Sequence, residues 1–434
     1  MSANSTLPAQ RLLALDVFRG LTIALMFVVN NPGTWSFIYP PLEHAKWHGW
    51  TPTDWVYPFF LFTVGVAAWF SFKKYQGQAP AELYFKIIKR GVIIFLIGVG
   101  LAMYLNSLSS FSNLRIMGVL QRIGLSYMLG CLICITFSQR TTAIIGAAIL
   151  IGYWLLMKYM GDPTYPFGLY DGAKYLGVEN NVVTQFDRWV LGVKHLYKGF
   201  DGIPFDPEGL LSTLPAVVTV ILGYFSGKLI DLNPNRLDLV KKMFVWGFGA
   251  LLLGWLMNFE FPINKPIWSS SYVVFMAGWC LVINAVLIWI IDVQGWKGWT
   301  KPLLVLGMNS LLAFVISGMW VKTVSKIKFD SSYETVTQAW NNNAVVPKRI
   351  GGTQKIYEDV FSPITTDRQL LIDYKTKKLT DKSDPSRLNR DVPSVWSDFE
   401  AKQKLSSFFY ALFSLCLFWF FLWVFYKNNI FLKV

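Results

Sequence analysis

The chain has 434 residues, of which 15% are charged and 53% are hydrophobic, and its formal net charge is +14. Ordinary soluble domains carry about 25% charged residues. A soluble domain with so few charges would not keep this much apolar surface from water. The composition therefore excludes an ordinary soluble protein and predicts an integral membrane protein.

Apolar runs that approach or reach the length of a spanning helix, about 20 residues, recur along the chain. In chain order they are Leu21–Val29, Trp55–Phe70, Ile87–Leu105, Ile116–Phe137, Thr142–Tyr159, Leu211–Leu229, Phe244–Met257, Tyr272–Ile291, Leu303–Val321 and Leu405–Tyr426. The first two runs, both under 18 residues, flank a polar segment. The pattern predicts an all-α, polytopic protein with about ten transmembrane helices in a single domain, residues 1–434.

Basic residues are distributed unevenly between the two sets of short loops. The set that contains the N-terminus holds Arg11, Arg19, Lys73, Lys74, Lys86, Lys89, Arg90, Arg140, Lys228, Arg236, Lys241, Lys242, Lys297, Lys301, Lys427 and Lys433. The opposing short loops hold Lys46, Arg115 and Lys265. Because short cytoplasmic loops carry the excess of Lys and Arg, both termini are predicted to be cytoplasmic. The net charge follows from this topology and requires no nucleic-acid partner.

Two long hydrophilic stretches fall on the far side of the membrane in this topology. Gly161–Gly209 is rich in Gly, Pro, Asp and Tyr, which is typical of turns. Lys322–Lys404 is longer and basic, and shows little helical periodicity. Long translocated loops are exempt from the rule on basic residues. We therefore interpret the second stretch as a solvated cap rather than a binding domain.

The polar segment between the first two apolar runs contains His44 and His48, two of the three histidines in the chain. Asn30 ends the first run and Asp54 begins the second, so the two helices should bring both residues near His44 at one membrane face. Histidine is well suited to proton transfer near neutral pH, and a carboxylate that orients an imidazole is a recurring catalytic device. The segment therefore predicts a catalytic group of His44, Asp54 and Asn30.

Structural roles explain the same residues about equally well. Asp54 follows Thr-Pro-Thr, where its charge would suit the first turn of a helix. Asn30 lies in an Asn-Asn-Pro-Gly sequence that is an ordinary helix stop. His44 and His48 are spaced like a pair of metal ligands, but the HExxH pattern and a third ligand are missing, so no metal is predicted.

Several motifs, in order along nearly the whole chain, resemble those of the transmembrane acetyltransferases typified by heparan-α-glucosaminide N-acetyltransferase. The segment Leu15–Gly20 resembles the family's DxFRG opening, and His44–Asp54 is similar to its HAxWxGxTxxD active-site segment. Further matches are Gly118–Ile123, Phe205–Gly209, Asn264–Ser270, Gly307–Ser310 and Ile430–Val434. The chain is most similar to the bacterial inner-membrane branch associated with N-acetylglucosamine utilisation. It departs from the family at Thr365–Glu400, which resembles an insertion.

The resemblance implies transfer of an acetyl group from cytosolic acetyl-CoA to the amine of a glucosamine unit on the periplasmic side of the inner membrane. It implies a catalytic role for His44, with Asn30 and Asp54 in support. Residues 161–209 and 322–404 would then be periplasmic loops. The implied partners are an amino-sugar acceptor and the lipid bilayer, with no nucleic acid, and a homodimer stays open.

Polar residues inside apolar runs are costly and usually functional. We interpret Arg19, Gln121 and Arg122 as contacts of acetyl-CoA. Arg122 would otherwise pair with a buried carboxylate such as Asp16. Arg19 and Asp16 are spaced to form an ion pair at the start of the first run.

Lys86 and Arg90 would suit the phosphates of CoA, although cytoplasmic loops are basic in any case. Asp206, Glu208 and Trp47 are predicted to bind the acceptor. The Pro-Glu pair at Glu208 would alternatively begin a helix. Two other functions remain open: an O-acyltransferase of cell-surface glycans, and a sugar transporter. A transporter would usually show inverted repeats and interrupted helices, and neither is evident in the sequence.

Overall fold

A computed structural model of the protein describes residues 12–75, 79–105, 108–330, 349–365, 370–373, 378–381 and 392–431. Its helices, in chain order, are α1 (Leu13–Asn30), α2 (Val56–Phe72), α3 (Ala81–Met103), α4 (Val119–Thr136), α5 (Gln139–Met160), α6 (Val182–Leu191), α7 (Thr213–Asp231), α8 (Arg236–Met257), α9 (Ser270–Ile288), α10 (Lys301–Met308), α11 (Ser310–Lys326), α12 (Gly352–Ile356), α13 (Ser362–Thr365) and α14 (Val392–Lys427). A 3-10 turn, Pro52–Trp55, leads into α2, and π-helical turns occupy Trp289–Val293 and Tyr357–Phe361.

Strands are few and short in the described residues. They are β1 (Leu169–Tyr170), β2 (Tyr175–Leu176), β3 (Lys328–Asp330), β4 (Arg349–Gly351), β5 (Leu370–Asp373) and β6 (Lys378–Asp381). They form three antiparallel pairs of consecutive strands. The prediction of an all-α fold is confirmed, because these hairpins lie outside the long helices.

Among the described residues, eight helices are long and apolar enough to cross a membrane, judged by length and composition: α1, α2, α4, α5, α7, α8, α9 and the later part of α14. The pair α10 and α11 passes the same test jointly and is bent by 79° at its break, which makes up to nine. The remaining predicted run, Ile87–Leu105, corresponds to α3, which has 23 residues but carries Lys86, Lys89 and Arg90 in its first half. The polytopic membrane fold is therefore confirmed, while the cytoplasmic location of the termini stays a prediction.

The break between α10 and α11 differs from the sequence expectation of uninterrupted helices. It lies at Asn309, inside the apolar run Leu303–Val321, although the joined pair is apolar enough to span a membrane. The Asn309 side chain, at the break, donates a hydrogen bond of 3.0 Å to the backbone carbonyl of Ile430. A contact with the distant C-terminal segment thus accompanies the bend.

The two long polar stretches contain more regular structure than the sequence predicted. Within Gly161–Gly209 it contains a β-hairpin and the ten-residue helix α6, whose N-cap residue Asn181 accepts a 2.8 Å hydrogen bond from the backbone N–H of Thr184. Within Lys322–Lys404, helical structure continues at both ends, to the end of α11 and from the start of α14. Residues 366–369, 374–377 and 382–391 of the predicted insertion lie outside the described residues.

Close backbone approach joins the central helices α2 and α7. A Cβ atom at Gly65 would lie 2.0 Å from the carbonyl oxygen of Val220, and one at Gly223 would lie 2.1 Å from that of Phe62. Helices in membranes associate largely through such close packing at small residues. This contact makes α2 and α7 a rigid pair, and both helices lead directly out of the segments that form the candidate site.

The segment that precedes α7 is held between two fully buried charged residues, Asp187 and Arg122. Asp187 Oδ1 accepts the backbone N–H groups of Leu210 at 3.0 Å and Leu211 at 3.1 Å. Arg122 donates to the carbonyl of Gly209 at 3.2 Å and also to the Ser212 hydroxyl. Burial raises the pKa of Asp187 to about 7, despite the two N–H groups and the charge of Arg122. The segment therefore has a defined backbone course.

Opposite sidedness is expected for two cysteine reporters, Ala173→Cys in the β1–β2 hairpin and Pro234→Cys between α7 and α8, both at exposed positions. The background is Cys416→Ser, because Cys416 is exposed while Cys131, Cys134 and Cys280 are buried. A membrane-impermeant maleimide should label the first from the periplasmic side and the second from the cytoplasmic side. Labelling of both positions from one side would overturn the topology.

Replacement of Gly209 by Ala should destabilise the protein, because the new Cβ would lie 1.8 Å from Asp187 Oδ2. Overpacking of this kind typically costs about 1–3 kcal/mol. Thermal unfolding in detergent measures the effect. The matched control is Gly152→Ala on α5, where nothing lies within 4 Å of the added Cβ and the higher helix propensity of Ala favours stability. Equal unfolding temperatures for the two variants would contradict the packing described here.

Candidate functional site

A cavity of about 980 Å³ lies among α1, α2, α3, α4 and α11. Residues of α2 from Val56 to Phe72 line it, so it extends about 24 Å along that helix at the α-helical rise per residue. One end is lined by Arg19 and Arg90, in the first halves of α1 and α3. The other end is lined by residues of the polar segment between α1 and α2. The cavity therefore connects the two ends of the helix bundle.

The His44 imidazole and the Asp54 carboxylate form a direct contact at the second end, with 2.6 Å between Nδ1 and Oδ1. Asp54 Oδ2 accepts the backbone N–H groups of Ala45 at 3.1 Å and Thr51 at 3.0 Å. Asp54 is 1% exposed, whereas the His44 side chain is 48% exposed and lines the cavity. Because a carboxylate faces Nδ1, the proton of the neutral ring is assigned to Nδ1, which leaves Nε2 to accept a proton from a ligand.

Both sequence interpretations of Asp54 describe the structure. Asp54 lies in the 3-10 turn that starts α2 and forms a capping box with Thr51. It uses Oδ2 for this structural role and Oδ1 for His44. A single carboxylate therefore caps the start of a helix and contacts an imidazole.

Lys265 joins this pair and was not recognised from the sequence. Its Nζ lies 3.0 Å from His44 Nδ1, 3.3 Å from His44 Nε2 and 3.4 Å from Asp54 Oδ1. The loop between α8 and α9 supplies Lys265 and is hydrogen-bonded to the histidine segment. Gly49 N–H donates to the carbonyl of Ile263 at 2.8 Å, and Asn264 Nδ2 donates to the carbonyl of Trp47 at 2.9 Å.

A second charged cluster also contributes to the lining of the cavity. Arg115 donates to Asp206 at 2.6 Å and to Glu208 at 2.5 Å, and its guanidinium lies 4.8 Å from the centre of the Tyr197 ring. Glu208 lines the cavity, while Asp206 is fully buried behind it. Burial alone would raise the pKa of Glu208, but the charges of Arg115, Arg122 and Lys265 lower it below its ordinary value. Glu208 therefore presents a negative charge to the cavity.

His48 and Trp47 face away from the cavity. His48 Nε2 lies 2.8 Å from the carbonyl oxygen of Gly168, and Asn264 Nδ2 lies 3.3 Å from His48 Nδ1. Burial lowers the pKa of His48, although the contact with Gly168 raises it. Trp47 is 1% exposed and donates to the carbonyl of Phe167 at 3.0 Å. Both residues therefore hold the histidine segment against residues 161–209.

The predicted contribution of Trp47 to acceptor binding has only an indirect basis in this geometry. Trp47 is not among the described residues that line the cavity, but Tyr175 and Phe200 are, and the rings of both pack against its indole.

Among the described residues there is no group of three or more His, Cys, Asp and Glu side chains that could hold a metal ion.

The residues predicted to contact the acyl donor fall into two groups. Arg19, Arg90 and the catalytic candidate Asn30 line the cavity. Lys86, Gln121 and Arg122 do not line it within the described part of the chain. Gln121 donates to the carbonyl of Ile116 at 3.0 Å.

Two further predictions concern the arginines. The predicted ion pair of Arg19 with Asp16 is confirmed at 3.7 Å. Arg122, which was considered as a partner of Asp16, instead donates to the 209–212 backbone and hydroxyl described above. Its guanidinium lies 5.2 Å from the centre of the Trp268 ring. Arg122 thus acts on the site through the segment that carries Glu208.

The family model of the heparan-alpha-glucosaminide N-acetyltransferase catalytic domain matches residues 11–246. Over 359 residues the chain is 30% identical to human heparan-alpha-glucosaminide N-acetyltransferase, a match that covers 72% of this chain and 53% of the human protein. The mouse protein of the same name is 29% identical over 355 residues, 71% of this chain and 53% of the relative. The chain therefore spans about half the length of these relatives. Together with the helical membrane architecture, the match over 11–246 shows that this chain belongs to the heparan-alpha-glucosaminide N-acetyltransferase family.

Proposed function

We propose that this protein is an acyltransferase of the inner membrane that moves the acetyl group of cytosolic acetyl-CoA to the amine of glucosamine, or of a glucosamine-containing sugar, on the periplasmic side. One observation carries the proposal. A continuous cavity joins an end lined by Arg19 and Arg90 to an end lined by His44, Lys265 and Glu208. Membership of a family named for N-acetyl transfer supports the reaction type.

The donor end of the cavity suits a CoA thioester. Guanidinium groups recognise phosphates well, and the two arginines at this end would attract the phosphates of CoA. Between the two ends the walls are largely apolar, with Phe60, Val64 and Ile123 among the lining residues. A pantetheine arm is narrow and flexible enough to occupy such a passage while the nucleotide stays at its cytoplasmic mouth.

The acceptor end of the cavity suits an amino sugar. Glu208 is negatively charged, as argued above, and would attract the ammonium form of the amine. Tyr175 and Phe200 line the same end of the cavity and present aromatic surfaces to it. Aromatic rings offer a large apolar surface that can cover the C–H face of a sugar ring.

The reaction would proceed by direct transfer in a complex of both substrates. The sugar ammonium first loses one proton to water, and the free amine then attacks the thioester carbonyl carbon. As the C–N bond forms, the nitrogen gives a proton to His44 Nε2, and the imidazolium is stabilised by Asp54. When the C–S bond breaks, the CoA thiolate takes that proton. Asn30, on the cavity wall, would donate a hydrogen bond to the acetyl group.

A sugar transporter is the second candidate, and one observation favours it. The broken helix pair α10 and α11 contributes Met308, Ser310 and Leu311 to the cavity wall. Interrupted helices at a central cavity are common in secondary transporters. The two candidates differ in whether the amino sugar leaves its own side of the membrane.

The His44→Ala variant should lose acetyl transfer, because it removes the imidazole that would accept the proton of the amine. Loss of a general base typically costs about 10²–10⁴-fold in rate. The assay incubates purified protein with acetyl-labelled acetyl-CoA and a panel of amino sugars and follows which sugar acquires the label. Binding of CoA should persist in the variant.

The matched control is His48→Ala, which removes the neighbouring imidazole that faces away from the cavity. It should lower turnover much less than His44→Ala. If His44→Ala kept near-normal turnover while His48→Ala lost it, the assignment of the base would be wrong. If the wild-type protein labelled none of the amines, the proposed function itself would be rejected.

A further inference from the structure

The proton-transfer pair accounts for only part of the charge at the acceptor end of the cavity. In the part of the chain that the structure describes, three cationic residues line this end: Lys46, Arg115 and Lys265. The Arg115 guanidinium is bound by two carboxylates, and the Lys46 side chain is 68% exposed and 4.0 Å from Glu43. Lys265 differs from both, because its side chain is only 19% exposed and its ammonium touches the candidate base.

The position of the Lys265 ammonium leaves His44 Nε2 accessible. Its distances to Nδ1 and Nε2 differ by little, 3.0 Å and 3.3 Å. An ammonium nearly equidistant from the two nitrogens lies over the face of the imidazole ring, and not in the ring plane along the lone pair of one nitrogen. The in-plane direction from Nε2 therefore stays open to a ligand, and any group bound there would have the ammonium beside it.

The loop that carries Lys265 is well fixed. Besides its bonds to Gly49 and Trp47, the loop is stabilised by Asn258 Oδ1, which accepts the N–H of Ile263 at 2.7 Å. Trp268, three residues after Lys265, is fully buried and has a positive φ of 51°. Left-handed backbone at a bulky residue costs free energy and persists where the surroundings determine it. The loop therefore fixes the backbone from which the Lys265 side chain reaches His44.

The charges of the three groups balance only before proton transfer. With His44 neutral, the Asp54 carboxylate and the Lys265 ammonium compensate each other across 3.4 Å. Once His44 has taken a proton, one carboxylate faces two cations. These three groups then carry one net positive charge, at the stage of the reaction when the thioester carbonyl oxygen becomes an oxyanion.

We propose that Lys265 is the catalytic electrophile of this site, which binds the oxyanion of the tetrahedral intermediate through its ammonium group. As the amine attacks, the C–N bond forms and the carbonyl π electrons move onto oxygen, beside Lys265. When the C–S bond breaks, those electrons return to re-form the carbonyl, and the thiolate takes the proton from His44. The inference rests on the proposed acetyl transfer and adds to it the group that stabilises the intermediate.

The first test compares Lys265→Met with Lys265→Arg in the full-length protein. Removal of one oxyanion donor typically costs about 10²–10³-fold in kcat, so Lys265→Met should lose this factor with little change in the KM for acetyl-CoA. Lys265→Arg keeps the charge and should recover most of the loss. Lys158→Met is the matched control, because Lys158 pairs with Glu260 at 2.8 Å and is not among the described residues that line the cavity.

The second test measures binding and requires no turnover. S-trifluoroacetonyl-CoA replaces the thioester by a trifluoromethyl ketone, which hydrates to a tetrahedral centre and mimics the intermediate. Transition-state mimics bind more tightly than ground-state ligands where the site is complementary to the intermediate. The wild-type protein should therefore prefer the analogue over CoA, and Lys265→Met and Lys265→Gln should lose that preference while still binding CoA.

The outcomes separate the inference from the function on which it rests. If the wild-type protein transfers no label, the proposed function fails and the inference with it. If the wild type is active and Lys265→Met retains its kcat, Lys265 is not the electrophile. If Lys265→Met loses kcat but keeps the preference for the analogue, Lys265 only positions His44, and the inference is overturned although acetyl transfer stands.

Discussion

A buried carboxylate, Asp54, makes the contacts on which the candidate site depends. It is 1% exposed, and an uncompensated charge at that depth would be strongly unfavourable. Its Oδ1 meets His44 and Lys265, and its Oδ2 binds the backbone of Ala45 and Thr51. Its backbone carbonyl accepts the hydroxyl of Tyr272, on α9, at 2.7 Å. The start of α2, the histidine segment and the region around α9 are thereby joined at one residue.

Hydropathy and local chemistry were sufficient to predict the long helices and the contact between His44 and Asp54. The apolar runs correspond to helices because a spanning segment must satisfy its backbone hydrogen bonds internally. His44 and Asp54 are separated by only ten positions, so a short polar segment before a helix brings them together. Lys265 lies 221 positions from His44 and reaches it only through the packing of α8 and α9. No local pattern encodes that contact.

A weaker signal for the missed residues was nevertheless present in the charge distribution. Arg115 and Lys265 are two of the few basic residues in short loops predicted to face the far side, where such residues are disfavoured. In the structure both line the cavity and contact acidic side chains. The bend at Asn309 was not predicted, because α10 and α11 together are apolar enough to span a membrane and one hydrogen-bond partner of Asn309, Ile430, is 121 positions away. Basic residues that depart from the expected loop distribution were thus more informative about the site than those that follow it.

In the proposed reaction, the acetyl group crosses the membrane while CoA and the sugar each stay on their own side. Sealed proteoliposomes of known protein orientation test it, with acetyl-labelled acetyl-CoA on the donor side and glucosamine on the acceptor side. N-acetylglucosamine is expected only on the acceptor side, and free CoA only on the donor side. Labelled product on the donor side, or uptake of glucosamine without acetylation, would contradict it.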